Sequence, residues 1–125
     1  MSTTIWTVEP EDHDYPAAAS YLSLLAPQES VERVIEALKK AEVVGFKAKD
    51  VIRAARLPML EAENPHVERD LKKIKEGKAL SPILLVRGSG ERGIHLVIAD
   101  GYHRACAVYC NSEDEEIKAK IVDWS

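Results

Sequence analysis

The residues with the most useful chemistry stand together at positions 100–104. An apolar run at 96–99 predicts a buried strand before them, and apolar residues with helical spacing follow them. Because the Asp-Gly pair that begins the segment is a turn signal, we expect Tyr102, His103 and Arg104 to form the first turn of that helix. The first turn of a helix offers backbone N–H groups without intrahelical partners, and the helix dipole makes this end electropositive. The spacing therefore predicts an anion site at a strand–turn–helix junction.

The residue types in this turn favour phosphate as the anion. Gly101 lacks the Cβ that would keep an anion away from the backbone. The Arg104 guanidinium is a planar donor that matches phosphate oxygens, and His103 adds a second donor. We therefore predict that Gly101, Tyr102, His103 and Arg104 bind phosphate. The residues alone leave a plainer alternative open, in which these polar side chains are merely solvated on an ordinary strand–turn–helix.

Two carboxylates are candidate catalytic residues if a phosphoryl group is transferred at this site. A carboxylate near the γ-phosphate of a nucleotide can accept the proton of an attacking hydroxyl. Asp100 is adjacent to the turn, and Glu61 stands in a loop before a helix that is predicted to start at Asn64. The alternative role of Asp100 is to form or cap the turn.

The rest of the chain must supply elements that hold this turn in place. Apolar periodicity predicts four further helices, at 17–25, 30–41, 49–56 and 64–77. Apolar runs and alternation predict strands at 42–48, 83–87, 96–99 and 117–122. In the last strand, Lys118 and Lys120 alternate with apolar residues, so both are expected on the solvent face.

The order of these elements, a helical hairpin followed by β-α-α-β-β-α-β, predicts the fold class. We expect an α+β fold with a small sheet, largely antiparallel or mixed, and flanking helices. The length suits one domain over residues 1–125, with 1–41 as an N-terminal helical extension and 42–125 as the core.

Two segments and their order resemble a known superfamily. Leu-Ser-Pro-Ile-Leu-Leu-Val at 80–86, Ile-Ala-Asp-Gly-Tyr-His-Arg-Ala-Cys-Ala at 98–107 and a final strand are similar to the core of ParB/sulfiredoxin-like proteins. At this turn, ParB-type domains carry Gly-Glu-Arg-Arg and sulfiredoxins carry Gly-Gly-Cys-His-Arg. Gly101, His103 and Arg104 match the sulfiredoxin form, and Gly101 and Arg104 match the ParB form. The likeness covers about residues 57–122.

This resemblance implies a ParB/sulfiredoxin-like mixed sheet that binds nucleotide phosphates at residues 101–104. The ligand would be ATP, ADP or CTP, accompanied by Mg²⁺, and the sequence does not distinguish the base. Sulfiredoxin activity is not expected, because Tyr102 takes the place of the reactive cysteine and Cys106 lies one helical turn further on. No metal site is predicted, and Cys106 and Cys110 are expected to be small core-filling thiols.

Three functions stay open at this stage. The first is a nucleotide-binding module, and the second is a nucleotide-dependent small-molecule phosphotransferase or nucleotide hydrolase on the same fold. The third is an interaction module in a DNA-associated complex, as the likeness to ParB partition proteins implies. The sequence does not decide whether the chain forms a homo-oligomer or binds a protein partner.

The composition of the chain narrows the range of possible functions. The chain has 125 residues, of which 46% are hydrophobic and 30% charged, as is typical of a globular protein. The net charge of −4 and the pI of about 5.6 argue against direct nucleic-acid binding. No apolar run approaches the roughly 20 residues of a membrane span, and the N-terminus lacks a signal-peptide pattern. We therefore expect a cytoplasmic protein without a membrane partner.

Overall fold

The chain folds into five helices and a four-stranded mixed sheet over residues 3–88 and 93–124, which a computed structural model describes. The helices are α1 (Asp14–Leu22), α2 (Gln28–Lys40), α3 (Ala48–Ala55), α4 (Pro65–Lys75) and α5 (Tyr102–Asn111). The strands are β1 (Val44–Lys47), β2 (Ile83–Arg87), β3 (Val97–Asp100) and β4 (Glu116–Asp123). The predicted α+β class and element order are confirmed. Within these described ranges, no helix is long and apolar enough to cross a membrane.

The sheet has the strand order β1-β4-β2-β3 and contains one parallel pair. β2 and β4 run parallel, whereas β1 pairs with β4 and β2 pairs with β3 in antiparallel fashion. Because β3 runs antiparallel to β2, its last residue, Asp100, lies opposite Leu84 near the beginning of β2. The turn at 100–104 is therefore held beside Ser81, just before β2.

β2 is buried on both faces and divides the core in two. Leu84 and Val86 belong to the cluster with α1 and α2, whereas Ile83 and Leu85 belong to the cluster with α3, α4 and α5. Each of these side chains is at most 1% exposed, and burying one contributes about 1.5–3 kcal/mol. The sheet thus has helices on both faces, and the two N-terminal helices cover one of them.

The fourth helix begins where the sequence predicts. Asn64 caps it, because its Oδ1 accepts hydrogen bonds from the N–H groups of His66 at 3.0 Å and Val67 at 3.3 Å, and a proline is the first helical residue. One side of the helix is buried, and Arg69 and Lys73 lie on an exposed side.

Residues 80–82 lead into β2, and we call them the approach to β2. The N-terminal segment runs along this approach and places the start of α1 beside it. Leu80 forms two backbone hydrogen bonds with this segment, of 2.8 and 2.9 Å. α1 begins and ends three residues earlier than the predicted span of 17–25, and the Asp14 carboxylate in its first turn accepts a hydrogen bond from the N–H of Glu11 at 3.0 Å. Asp14 is buried there, and the Ser81 hydroxyl donates to it at 3.1 Å.

Lys120 is buried, so the expectation that it faces solvent is wrong. Its side chain is 1% exposed, and its Nζ lies 3.2 Å from the Tyr15 hydroxyl, 3.2 Å from the Lys39 carbonyl oxygen and 3.1 Å from Glu9 Oε1. The reason is that α1 and α2 cover the face of the sheet to which Lys120 points. Burial by itself lowers the pKa of Lys120, but the hydrogen bonds to Tyr15 and Glu9 outweigh it, so the pKa is raised.

Replacing Lys120 with Met should destabilise the fold, because the Tyr15 hydroxyl and the Lys39 carbonyl lose their buried partner. We expect the free energy of unfolding in urea at neutral pH to fall by about 1–3 kcal/mol. Lys118→Met is the matched control, since Lys118 lies on the same strand with its side chain 41% exposed, and its loss should stay below about 1 kcal/mol. Equal losses would contradict the role of Lys120. Because the pKa of Lys120 is raised above 10.5, the stability that its charged form provides should be lost only at strongly alkaline pH.

Candidate functional site

A polar cavity of about 300 Å³ opens where α5 begins, and we call it the α5 cavity. Four parts of the chain form its wall: the start of α1, an exposed side of α4, the segment before β2 and the turn at 100–104. Its acidic side chains are Glu11, Asp14, Asp70 and Asp100. Its basic side chains are Arg69, Lys73 and Arg104. The predicted phosphate-binding residues 101–104 all line this cavity.

The turn has the predicted strand–turn–helix geometry. α5 starts at Tyr102, and its first helical hydrogen bond runs from the N–H of Ala105 to the carbonyl oxygen of Gly101 at 2.9 Å. The N–H groups of residues 102–104 therefore stand at the open end of the helix. Gly101 has φ 107° and ψ 20°, and a Cβ there would overlap the Ile83 side chain. Glycine is required for backbone conformation and packing, whereas the sequence suggested anion access.

Gly101→Ala should therefore destabilise the protein strongly. We expect a loss of about 2–4 kcal/mol in the free energy of unfolding, because backbone strain and the overlap with Ile83 act together. Gly77→Ala is the matched control, since Gly77 also has a positive φ, of 72°, but a Cβ there meets nothing within 4 Å. Its loss should be about 1–2 kcal/mol. Similar losses in urea denaturation would show that Ile83 imposes no constraint.

The Arg104 guanidinium is held by the protein itself. Its Nη1 donates to the Ser81 carbonyl oxygen at 2.9 Å and to the Ser81 hydroxyl, and its Nη2 donates to Asp100 Oδ2 at 2.7 Å. Asp14 Oδ2 lies 3.5 Å from Nη1. Only 14% of the side chain is exposed. Arg104 therefore connects the turn to the approach to β2 and to α1. Its guanidinium donors already bind protein groups, so they are not free to bind phosphate as predicted.

Asp14 and Asp100 form a carboxylate pair around this guanidinium. Asp100 Oδ2 lies 2.7 Å from Nη2 and Asp14 Oδ2 lies 3.5 Å from Nη1 of Arg104, and both carboxylates line the α5 cavity. Burial raises the pKa of Asp100 to about 6, and Asp14 adds to the rise, while Arg104 opposes it. A carboxyl group with a pKa near neutrality can take up and release protons at working pH. The carboxylate of Asp100 accepts a hydrogen bond from Arg104, and α5 has no side-chain cap at Gly101, so the raised pKa and not a capping bond is what the structure adds for Asp100.

Removing the guanidinium should leave one buried carboxylate, Asp14, and one partly buried carboxylate, Asp100, without their cation. We expect Arg104→Met to lower the free energy of unfolding by about 3–5 kcal/mol at neutral pH. Arg87→Met is the control, because the Arg87–Asp123 pair is exposed, at 53% and 73%, and should contribute at most about 1 kcal/mol. Below pH 6 the loss in Arg104→Met should shrink, since the raised pKa of Asp100 lets it become neutral. A loss that does not change with pH would contradict this reading.

A histidine pair and two cations complete the wall on the α4 side. His103 lines the cavity, and its ring contacts that of His66 in a tilted arrangement with centroids 4.6 Å apart, while Arg69 Nη2 lies 3.2 Å from His66 Nδ1. Burial lowers the pKa of His103, and the neighbouring His66 adds to this effect. His103 is therefore neutral at neutral pH and offers one ring donor and one ring acceptor.

Four important residues were missed from sequence, and one predicted residue lies elsewhere. Asp14, Ser81, Arg69 and Lys73 come from segments distant from the turn, and the only available signal was the four-residue spacing that puts Arg69 and Lys73 on one side of a helix. Glu61 does not line the α5 cavity. It is exposed in a surface depression near the end of α5, so the geometry gives no support to its predicted catalytic role.

The two thiols have different surroundings. Cys106 is buried as predicted, but Cys110 is exposed near the end of α5, which corrects the expectation that both fill the core. Burial raises the pKa of each thiol, and for Cys110 the carboxylates of Glu63 and Glu61 add to the rise. Both thiols are therefore protonated at neutral pH and poor nucleophiles.

Comparison with known proteins adds no family to these observations. No protein-family model, curated protein or solved structure matches this chain. The feature of this protein that bears on its function is therefore the α5 cavity with the residues around it.

Proposed function

We propose that the α5 cavity binds the phosphate groups of a nucleoside di- or triphosphate, in a cytoplasmic domain of the ParB/sulfiredoxin-like fold. The observation that carries this proposal is that the first turn of α5 and two cations of α4, Arg69 and Lys73, line one polar cavity. Backbone N–H groups at a helix start and flexible cationic side chains are the donors that phosphate oxygens take. His103, in the same turn, adds a ring donor.

The distribution of charge around the cavity favours one position for the phosphates of the ligand. Glu11, Asp14 and Asp100 lie on the walls formed by the start of α1 and the end of β3, whereas α4 contributes two cations, Arg69 and Lys73, against one carboxylate, Asp70. Phosphates are repelled by the first group and attracted by the second, so they bind on the α4 side, over the start of α5. In this proposal Arg104 positions the turn, because its donors are already held by Ser81 and Asp100.

The size of the cavity suits phosphates better than a whole nucleotide. About 300 Å³ is at the lower end for a ligand pocket, so the nucleoside would extend beyond the rim. ATP, ADP and CTP are therefore all compatible with the proposal. Mg²⁺ that accompanies them takes oxygen ligands. Glu11 and Asp14 would supply these, since ligand atoms of Glu11, His13 and Asp14 lie within 4.8 Å of one another.

A second candidate function, nucleotide-dependent phosphotransfer, is favoured by Asp100. Its carboxyl lines the same cavity, and burial raises its pKa to about 6. A carboxylate with such a pKa can accept the proton of a hydroxyl that attacks a phosphoryl group. Incubation with ATP, Mg²⁺ and small alcohols, followed by phosphorus NMR, separates the two functions, because a binding module leaves the nucleotide unchanged.

The binding proposal predicts different effects for the two sides of α4. Arg69→Gln and Lys73→Gln should each weaken ADP binding about tenfold, because each removes a charged donor to phosphate. Lys72→Gln and Lys75→Gln are matched controls, since they remove the same charge from exposed positions of α4 that do not line the cavity. Isothermal titration calorimetry with ADP, ATP and CTP, with and without Mg²⁺, provides the measurement. The proposal fails if no nucleotide binds, or if the controls lose as much affinity.

A further inference from the structure

Three aromatic rings lie in contact beside the α5 cavity, on the side of α4. The ring of His103 contacts those of His66 and Tyr102, with centroid distances of 4.6 Å and 5.7 Å. We call these three residues the aromatic row. Tyr102 and His103 line the cavity, whereas His66 lies on α4 and is not one of the lining residues. The aromatic row therefore extends from the cavity to its rim, where the nucleoside of a bound nucleotide would lie.

Hydrogen bonds orient the rings at both ends of the aromatic row. At one end, the Tyr102 hydroxyl donates to the carbonyl oxygen of Pro58. At the other end, Arg69 Nη2 lies 3.2 Å from His66 Nδ1. A guanidinium has donors only, so Nδ1 is the acceptor and the neutral ring of His66 carries its proton on Nε2. Because His66 is exposed, its ring is oriented by this contact without being covered.

The helix period places the ring of His66 in line with the two cations of α4. His66, Arg69 and Lys73 are separated by three and then four residues, so they lie along one side of the helix. The distance from His66 to Lys73 corresponds to about 10.5 Å along the helix axis. This side of α4 thus has an aromatic surface at one end and positive charge along the rest.

We propose that the ring of His66, supported by His103, is the platform on which the base of the nucleotide stacks. This inference rests on the proposed function and assigns the substrate class of the same site, which is a nucleoside phosphate and not a sugar phosphate or free phosphate. The phosphates lie near Lys73 and Arg69, the base lies on His66, and the ribose lies between them. Every base can stack on an aromatic side chain, because each has a π-face.

The other histidine ring that lines the cavity has different surroundings. His13 Nε2 lies 3.0 Å from Glu11 Oε2 and 3.5 Å from Asp14 Oδ1, on the wall whose carboxylates repel phosphate. The aromatic row, in contrast, contacts the cation Arg69 through His66. A ligand whose phosphates bind on the α4 side therefore has its base within reach of His66 and not of His13.

Calorimetric titrations with ADP and with inorganic diphosphate separate the contribution of the base from that of the phosphates. His66→Ala should weaken ADP binding about five- to tenfold and leave diphosphate binding unchanged, because stacking contributes only when a base is present. His66→Phe keeps an aromatic face and should retain the wild-type affinity for ADP. His95→Ala is the matched control, since it removes an exposed imidazole outside the cavity.

The same titrations with other bases test the stacking itself. ADP and GDP should bind more tightly to the wild-type protein than CDP and UDP, because purines offer the larger stacking surface. His66→Ala should reduce this difference. A purine preference that His66→Ala leaves unchanged would contradict the platform.

The outcomes distinguish this inference from the proposed function. If neither ADP nor diphosphate binds, both fail. If ADP binds and His66→Ala has the wild-type affinity for it, only the platform fails. An equal loss for ADP and diphosphate in His66→Ala would show that His66 acts by positioning Arg69, and this result would also overturn the platform.

NMR on the unmodified chain covers the case in which diphosphate binds too weakly for calorimetry. In the complex with ADP, nuclear Overhauser effects should connect the ring protons of adenine to the ring protons of His66, and not to those of His95. Their absence at His66 in the saturated complex would overturn the platform.

Discussion

The contact on which the candidate site depends most is the one between the Arg104 guanidinium and its three protein partners. Ser81 contributes a carbonyl and a hydroxyl, and Asp100 and Asp14 contribute carboxylates. These partners belong to the approach to β2, the end of β3 and the start of α1. One planar cation with donors at fixed angles therefore sets the relative positions of three segments and of the helix to which it belongs.

This contact also explains why the cavity contains both signs of charge. A guanidinium with two nearby carboxylates is a stable arrangement only if the excess negative charge is hydrated or protonated. Burial raises the pKa of Asp100 to about 6, so the ionised form of this carboxyl is less favourable here than in water. The other two cations of the cavity, Arg69 and Lys73, lie on α4 together with Asp70, so each wall contains both signs of charge or borders one that does.

The N-terminal helices are part of the same arrangement. α1 and α2 cover one face of the sheet with apolar side chains, and Lys120 of β4 reaches into this layer to bind Glu9, Tyr15 and a carbonyl of α2. Tyr15 is the neighbour of Asp14. The contacts that hold the N-terminal segment on the sheet thus also hold Asp14 beside Arg104, which links the hydrophobic layer to the chemistry of the cavity.

Local rules were sufficient for most features that depend on neighbours in the chain, although the bounds of α1 were predicted three residues too late. The element order, the Asn64 cap, the strand before Asp100 and the helix start at Tyr102 follow from periodicity, turn residues and capping, and the structure confirms them. They failed where distant segments meet. The burial of Lys120 depends on helices about 80 to 105 residues earlier in the chain, and strand alternation cannot show that a second layer covers the polar face.

For the site, the sequence by itself determined the turn at 100–104 and the helix start that offers backbone N–H groups to an anion. Only the tertiary structure decided that Arg104 is held by Asp14, Ser81 and Asp100, that α4 supplies Arg69 and Lys73, and that Glu61 lies elsewhere. The physical reason is that a helix start is created by residues adjacent in the chain, whereas burial, charge neutralisation and a shifted pKa depend on which segments packing brings together.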